Sequence, residues 1–392
     1  MLVPPLSPLD ENFLRRDWPF LVACCTPECD LAKFVGQGNE AGVSDAFLAL
    51  AEVHGVAAQV ASALRRARDL QLPPLLRDEL RAHQRNQAVS TIALAAELFR
   101  ILELFESARI EAAVVKGPVL SVRAFGDPAV RHYGDVDLLL RHSDVQRASE
   151  IVTGAGFVPR VSASDIAAGR TPGQYFFRRG ESGAVIELHT ERTLRYFPRP
   201  LPIEDFFRRK TAITLDGRRV PALSAEDEFV LISIHGAKHL WERLVWVSDI
   251  AATVHRRPAL DWGRIRQSAS AVGAERMIRV ALLLAERILR TPVPEEMRRE
   301  VDDDAACLHM VKKIESWLPY AGYDPPPIAE RALFRLRMRG HLLAGAAYLT
   351  RLSLSTTEED WSRSRRSAAA SLSETLRRPF RLARKYRKPS LK

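Results

Sequence analysis

Two aspartates one residue apart, Asp135 and Asp137, lead into the apolar run Leu138-Leu139-Leu140. In a strand, alternate side chains leave the same face, so both carboxylates would project from one side of a sheet, the geometry that a divalent metal requires. A third acid, Glu187, lies in Ala184-Val185-Ile186-Glu187-Leu188-His189, where the same alternation puts Val185, Glu187 and His189 on one face. Upstream, Ile110 to Val115 is a short apolar run closed by Lys116-Gly117-Pro118. Proline fits the first turn of a helix, where its missing N–H is no loss, so this reads as strand, tight turn, helix. The backbone N–H groups at such a helix start form a site for anions. His235 and His239 are spaced i, i+4 and share one helix face like a metal pair. The intervening Gly-Ala-Lys lacks the glutamate of a zinc hydrolase, so they read as packed or substrate-facing residues.

The elements that must hold these groups follow from periodicity. Residues 1–42 are punctuated by proline and read as irregular, whereas Val43–Ala67 and Leu76–Ser107 are rich in Ala, Leu, Glu and Arg. In the second, Leu94, Leu98, Ile101, Leu102 and Phe105 form an amphipathic stripe that predicts a long helix packed on the next element. After the strand carrying Asp135 and Asp137, Val145–Thr153 reads as a helix ended by Gly154-Ala-Gly156. Short strands are expected at Phe157-Val158, Tyr175–Arg178 and Ala184–His189. Thr211–Val220 reads as a strand pair turning at Asp216-Gly217. Ser224 caps a helix, and Phe229–His255 is expected to be helical, as are Leu260–Gln267, Ala274–Leu289 and a basic amphipathic stretch to about Ser355.

Composition narrows the class. At 392 residues, with 46% hydrophobic and 27% charged, the chain can bury two or three cores. The net charge of +10 resides in residues 361–392, which carry eleven Lys or Arg and the single acid Glu374, while positions 1–360 balance. Only this basic C-terminal tail is an electrostatic candidate to contact nucleic acid or an anionic surface, and a solvated tail is the plainer alternative. The run of apolar residues needed for a transmembrane segment is missing, as is the basic-then-apolar order of a secretion signal, so a cytoplasmic location is expected. Cys24, Cys25, Cys29 and Cys307 do not form the two pairs of a zinc ribbon and read as free thiols.

In order and spacing, Val115-Lys-Gly117, Arg131-x-x-Gly134-Asp135-x-Asp137-Leu-Leu139, Glu187-Leu-His189 and His235-x-x-x-His239-x-Trp241 with Asp249 resemble the uncharacterised nucleotidyltransferases of the polymerase-beta-like superfamily. The likeness spans about residues 80–290. It implies a mixed α+β fold with a small mixed β-sheet nucleotidyltransferase core at 108–222, and periodicity and charge flank this core with all-helical regions at 1–107 and 223–355 and a basic tail at 356–392. It also implies Asp135, Asp137 and Glu187 as catalytic metal ligands for two Mg²⁺ ions, with Lys116, Gly117, Arg131, Gly134, His189 and His239 around the nucleotide. Mg²⁺ prefers hard oxygen ligands and shares phosphate oxygens, so two carboxylates plus a triphosphate suit it, and a third acid admits a second ion. The implied activity is transfer of a nucleoside monophosphate from an NTP, ATP by analogy, to an acceptor that is a small molecule, a protein or an RNA. A non-catalytic nucleotide-, peptide- or nucleic-acid-binding module and a kinase-like phosphotransferase are the alternatives on the same fold. Better-studied nucleotidyltransferases carry Gly-Ser or Gly-Gly where this chain has Lys116-Gly117-Pro118, and Ser121 is too far along to replace that serine, whereas the resemblance implies Lys-Gly as the usual form in the uncharacterised family.

Overall fold

A computed structural model describes residues 11–36, 47–67, 70, 74–162, 165–166, 173–180, 183–193, 200–320, 326–340 and 342–354. The basic tail expected at 356–392 lies outside these residues. Seven strands, β1 (Ala112–Val115), β2 (Asp135–Leu140), β3 (Val158–Pro159), β4 (Gln174–Arg178), β5 (Val185–His189), β6 (Thr211–Leu215) and β7 (Arg218–Ala222), form one sheet in the order β3-β4-β5-β2-β1-β7-β6. The pairs β2/β5 and β1/β7 are parallel and the others antiparallel, so the sheet is mixed and the fold is α+β. The β6–β7 turn is Asp216-Gly217, both with positive φ, as a two-residue hairpin requires.

Each face of the sheet has its own apolar layer. Val136, Leu138 and Leu140 point to one side with Ile186, Leu188, Tyr175 and Phe177. Leu94, Leu98, Ile101 and Phe105 of the Pro74–Ser107 helix cover them, as does the Val145–Gly154 helix. On the other side, Ala113, Val115 and Leu139 join a larger core built by Leu120 and Ala124 of the Gly117–Phe125 helix and by the helices from 225 onward. Residues of the N-terminal helices, among them Phe20, Leu21, Phe47, Leu50 and Val60, belong to this same core. Asp135 and Asp137 sit on this second face at the start of β2, where the apolar cover gives way.

One expectation from periodicity changes, and two helical stretches are each broken in two. The region before residue 42 is helical at Glu11–Cys25 and Leu31–Gly36, and the first helix runs through Pro19. A proline in a helix interior costs about 3 kcal/mol, and burial of Phe20, Leu21, Ala23 and Cys24 offsets it here. The stretch expected to be helical over 43–67 is helical at Phe47–Val53 and Ala57–Arg66, with a break at Gly55, whose φ is +70°. The segment read as one helix over 229–255 is two, Ala225–Lys238 and Leu244–Arg256. Between them, Leu240 and Trp241 have positive φ, which costs roughly 1–2 kcal/mol per residue, and both side chains are fully buried. No helix among the described residues is long and apolar enough to cross a membrane.

Candidate active site

Strand pairing assembles the acids. Parallel pairing of β2 with β5 sets Glu187 beside Asp137 and His189 beside Leu139, while antiparallel pairing of β1 with β2 sets Val115 beside Asp137. Paired residues point to the same face, so Asp135, Asp137, Glu187 and His189 share one. His189 Nε2 lies 2.6 Å from Asp137 Oδ1 and 3.4 Å from Glu187 Oε2. Ligand atoms of Asp137, Glu187 and His189 all lie within 4.8 Å of one another, the one such cluster among the described residues, and Asp135 stands outside this close set. From β4, the Gln174 amide donates to Glu187 Oε2 at 2.6 Å.

The charges in this patch act on one another at close range. Burial, then the charges of Asp137 and Glu187, push the Asp135 carboxyl up to about 6. Burial alone would also raise Asp137, but the Lys116 and His189 charges with their hydrogen bonds hold it well below the usual carboxylate range. Glu187 is likewise lowered, its burial outweighed by hydrogen bonds from His189 and Gln174. Burial would lower His189, yet Asp137 and the two hydrogen bonds raise it. Lys116 Nζ is 3.4 Å from Asp137 Oδ2.

The turn before the helix is strained. Lys116 adopts φ 56° and ψ −139°, a region that costs a residue with a side chain on the order of 1–3 kcal/mol, and Gly117 follows at φ +46°. Together they swing the chain from β1 into the Gly117–Phe125 helix and turn the lysine back toward Asp137. Gly134, just before Asp135, faces open space: a Cβ there would meet nothing within 4 Å.

Other residues read as site candidates lie one layer back. Arg131 is buried, its Nε donating to Asp249 Oδ1 at 2.8 Å, and its backbone N–H donates to Ser121 Oγ at 3.1 Å. Ser121 is buried and passes its own hydroxyl to the Asp127 carbonyl at 2.7 Å, so it braces the 127–131 loop. His235 and His239 have ring centroids 4.7 Å apart, and His239 stacks on Trp246 at 5.1 Å. Burial, then Lys238 and Lys116, push His239 down to about 3, and burial followed by Lys116 pushes His235 well down. Both imidazoles are therefore neutral and within electrostatic reach of Lys116.

Sequence reasoning missed Gln174, Thr193 and Trp246 as partners of this patch. The Thr193 hydroxyl lies 3.4 Å from His189 Nδ1, four residues along the chain and past the strand end. Gln174 is placed by strand register alone, which no local pattern in the sequence announces.

Comparison with proteins of curated function found no match. Among solved structures, an antigenic nucleotidyltransferase-like protein from Paracoccidioides brasiliensis is similar at 16% identity and a TM-score of 0.30, over 52% of this chain and 95% of that one. The profile of the uncharacterised nucleotidyltransferases matches residues 42–290, well over half of the sequence and all of the sheet that carries the acids. The chain thus belongs to the family of uncharacterised nucleotidyltransferases.

Proposed function

We propose that this protein is a metal-dependent enzyme that transfers a nucleoside monophosphate from an NTP to an acceptor nucleophile, releasing pyrophosphate. The observation that carries the reading is the register of β2 and β5, which sets Glu187 beside Asp137 on the face that also bears Asp135. The donor set fits divalent cations: carboxylates converge with an imidazole in a buried patch that opens at Gly134. Asp135, Asp137 and Glu187 would hold the ions. When bound, two ions such as Mg²⁺ neutralise phosphate charge and lower the pKa of the attacking hydroxyl.

The rest of the work is positioning, which dominates phosphoryl transfer. Lys116 sets a cation at the mouth of the patch, and the N–H groups at the start of the Gly117–Phe125 helix supply anion donors beside it. Gly134 leaves room for a phosphate to approach Asp135. Arg131, held by Asp249, contributes its charge from behind and fixes the loop on which Gly134 sits. We assign the catalytic unit to residues 108–222, with His239 and its neighbours in the helical region beyond 223 forming the opposite wall. ATP is the proposed donor by likeness to other nucleotidyltransferases, and the acceptor is a small molecule, a protein side chain or an RNA end.

The test is product analysis with purified protein, Mg²⁺ and each of the four NTPs. Pyrophosphate release, lost in the double variant Asp135→Ala, Asp137→Ala, is the expected result. Turnover unaltered in that variant overturns the assignment. Release of a nucleoside diphosphate would make the protein kinase-like, and metal-independent nucleotide binding without turnover would make it a binding module.

A further inference from the structure

His189 is the one nitrogen donor in a patch whose other donors are carboxylate oxygens. Its hydrogen bonds decide which ring nitrogen faces them. The Thr193 hydroxyl donates to the Gly173 carbonyl at 2.6 Å, and the Thr190 N–H donates to Thr193 Oγ1 at 3.1 Å. With its proton committed, Thr193 Oγ1 can only accept from His189 Nδ1, 3.4 Å away, which places a ring hydrogen on Nδ1. Nε2 is then the ring nitrogen that faces Asp137 Oδ1 and Glu187 Oε2, at 2.6 and 3.4 Å, and with no ion bound a proton on it bridges to the carboxylates. A dication at the same point would displace that proton and take Nε2 with the two carboxylate oxygens, because metal ligands bind in their deprotonated form. The side chains are screened from water: His189 is 9% and Asp137 7% exposed.

We propose that His189 Nε2 is a direct metal ligand, and that the position formed by Asp137, Glu187 and His189 selects a first-row transition dication such as Mn²⁺ over Mg²⁺. This rests on the reading of Asp137 and Glu187 as metal ligands. Mg²⁺ favours all-oxygen sites, whereas an imidazole nitrogen favours first-row transition ions. A metal-binding histidine typically donates its other N–H to an acceptor that fixes the ring, the part Thr193 plays here. Asp135, outside the close set, is left with phosphate oxygens to complete an all-oxygen position suited to Mg²⁺.

The full-length protein with Mn²⁺, alone and with a non-hydrolysable ATP analogue, tests this by electron spin echo spectroscopy. Nitrogen modulation of the Mn²⁺ signal is expected in the wild type and is expected to vanish in His189→Gln. Direct titration should show Mn²⁺ affinity falling in that variant by roughly ten- to a hundredfold, the range in which partners of metal sites act. Mg²⁺ affinity should change less. Circular dichroism confirms that the variant is folded, and the wild-type spectrum decides the question even if it is not. Bound Mn²⁺ without nitrogen modulation overturns the proposal, makes His189 a positioning residue for Asp137, and leaves the transferase reading intact. No Mn²⁺ bound in either condition overturns the proposal and the metal-dependent reading together. Nitrogen-ligated Mn²⁺ with no pyrophosphate released from any NTP upholds the ligand and overturns the transferase.

Discussion

At Gly134 the fold makes no demand for glycine: a Cβ would touch nothing, and the backbone is not in the left-handed region. On the proposed function, that open space is the approach of a phosphate to Asp135. Gly134→Ala is therefore expected to leave stability to urea within about 0.5 kcal/mol, as for a surface change. Pyrophosphate release should fall on the order of a hundredfold, the cost of an ångström-scale misplacement. An unchanged rate would place the phosphates elsewhere. That Asp135 shares a face with Asp137, and Glu187 with His189, was legible at this scale because alternation in a strand dictates which side chains share a face. Gln174 and Thr193 were not, since their roles come from a neighbouring strand's register and from a turn.

The turn between the Ala225–Lys238 and Leu244–Arg256 helices stacks His239 on Trp246, and it depends on Gly236. A Cβ at Gly236 would lie 2.4 Å from the ring of Trp241, which is fully buried and has no room to withdraw. Alanine gains about 1 kcal/mol of helix propensity, but overpacking a tight core costs about 1–3 kcal/mol. Gly236→Ala should thus destabilise by about 1–2 kcal/mol in urea titration; a stabilised variant would mean that the turn repacks freely. The helix following the turn is anchored by the buried pair Arg131–Asp249 at 2.8 Å. Asp249→Ala leaves the guanidinium buried and uncompensated, a loss of about 3–5 kcal/mol by the same measurement. A loss under about 1 kcal/mol would show that Arg131 reaches water or another partner. Periodicity did not reveal the break at 239–243, because those residues include no glycine or proline, Gly236 lies within the preceding helix, and the apolar pattern continues.

Across the whole molecule, His54 ties the N-terminal helices to the helical region beyond the sheet. Its Nδ1 accepts from Leu244 N–H at 3.2 Å and its carbonyl from Val245 N–H at 3.1 Å, so it caps the Leu244–Arg256 helix from another part of the chain. Ser248 Oγ donates to Gln59 Oε1 at 2.7 Å alongside. Burial, then the Arg243 charge, push His54 down to about 3. Unfolded, it takes up a proton near its ordinary value of about 6.5. The unfolded state therefore binds more protons between these values, so the stability is present above about pH 6.5 and is lost as pH falls toward about 3. One such group contributes a slope of up to about 1.4 kcal/mol per pH unit, and the lowered His235 and His239 add to it with the same sign. Urea unfolding at about pH 7 and pH 5 should show the decline, reduced by about one proton in His54→Asn. Equal slopes in wild type and variant would remove His54 from the account.

By itself the sequence determined the two-residue alternation that aligns Asp135 with Asp137 and Glu187 with His189, the Asp216-Gly217 hairpin, and the turn at Gly117. These are local consequences of backbone geometry and of which residues tolerate positive φ. Only the tertiary structure decided that β5 lies parallel to β2 with Glu187 opposite Asp137, and that Arg131 is tied to Asp249. It also decided that a helix would run through Pro19 and another break at Trp241. Those outcomes depend on burial and on pairing between distant segments, and that free energy exceeds the local propensities from which a sequence is read.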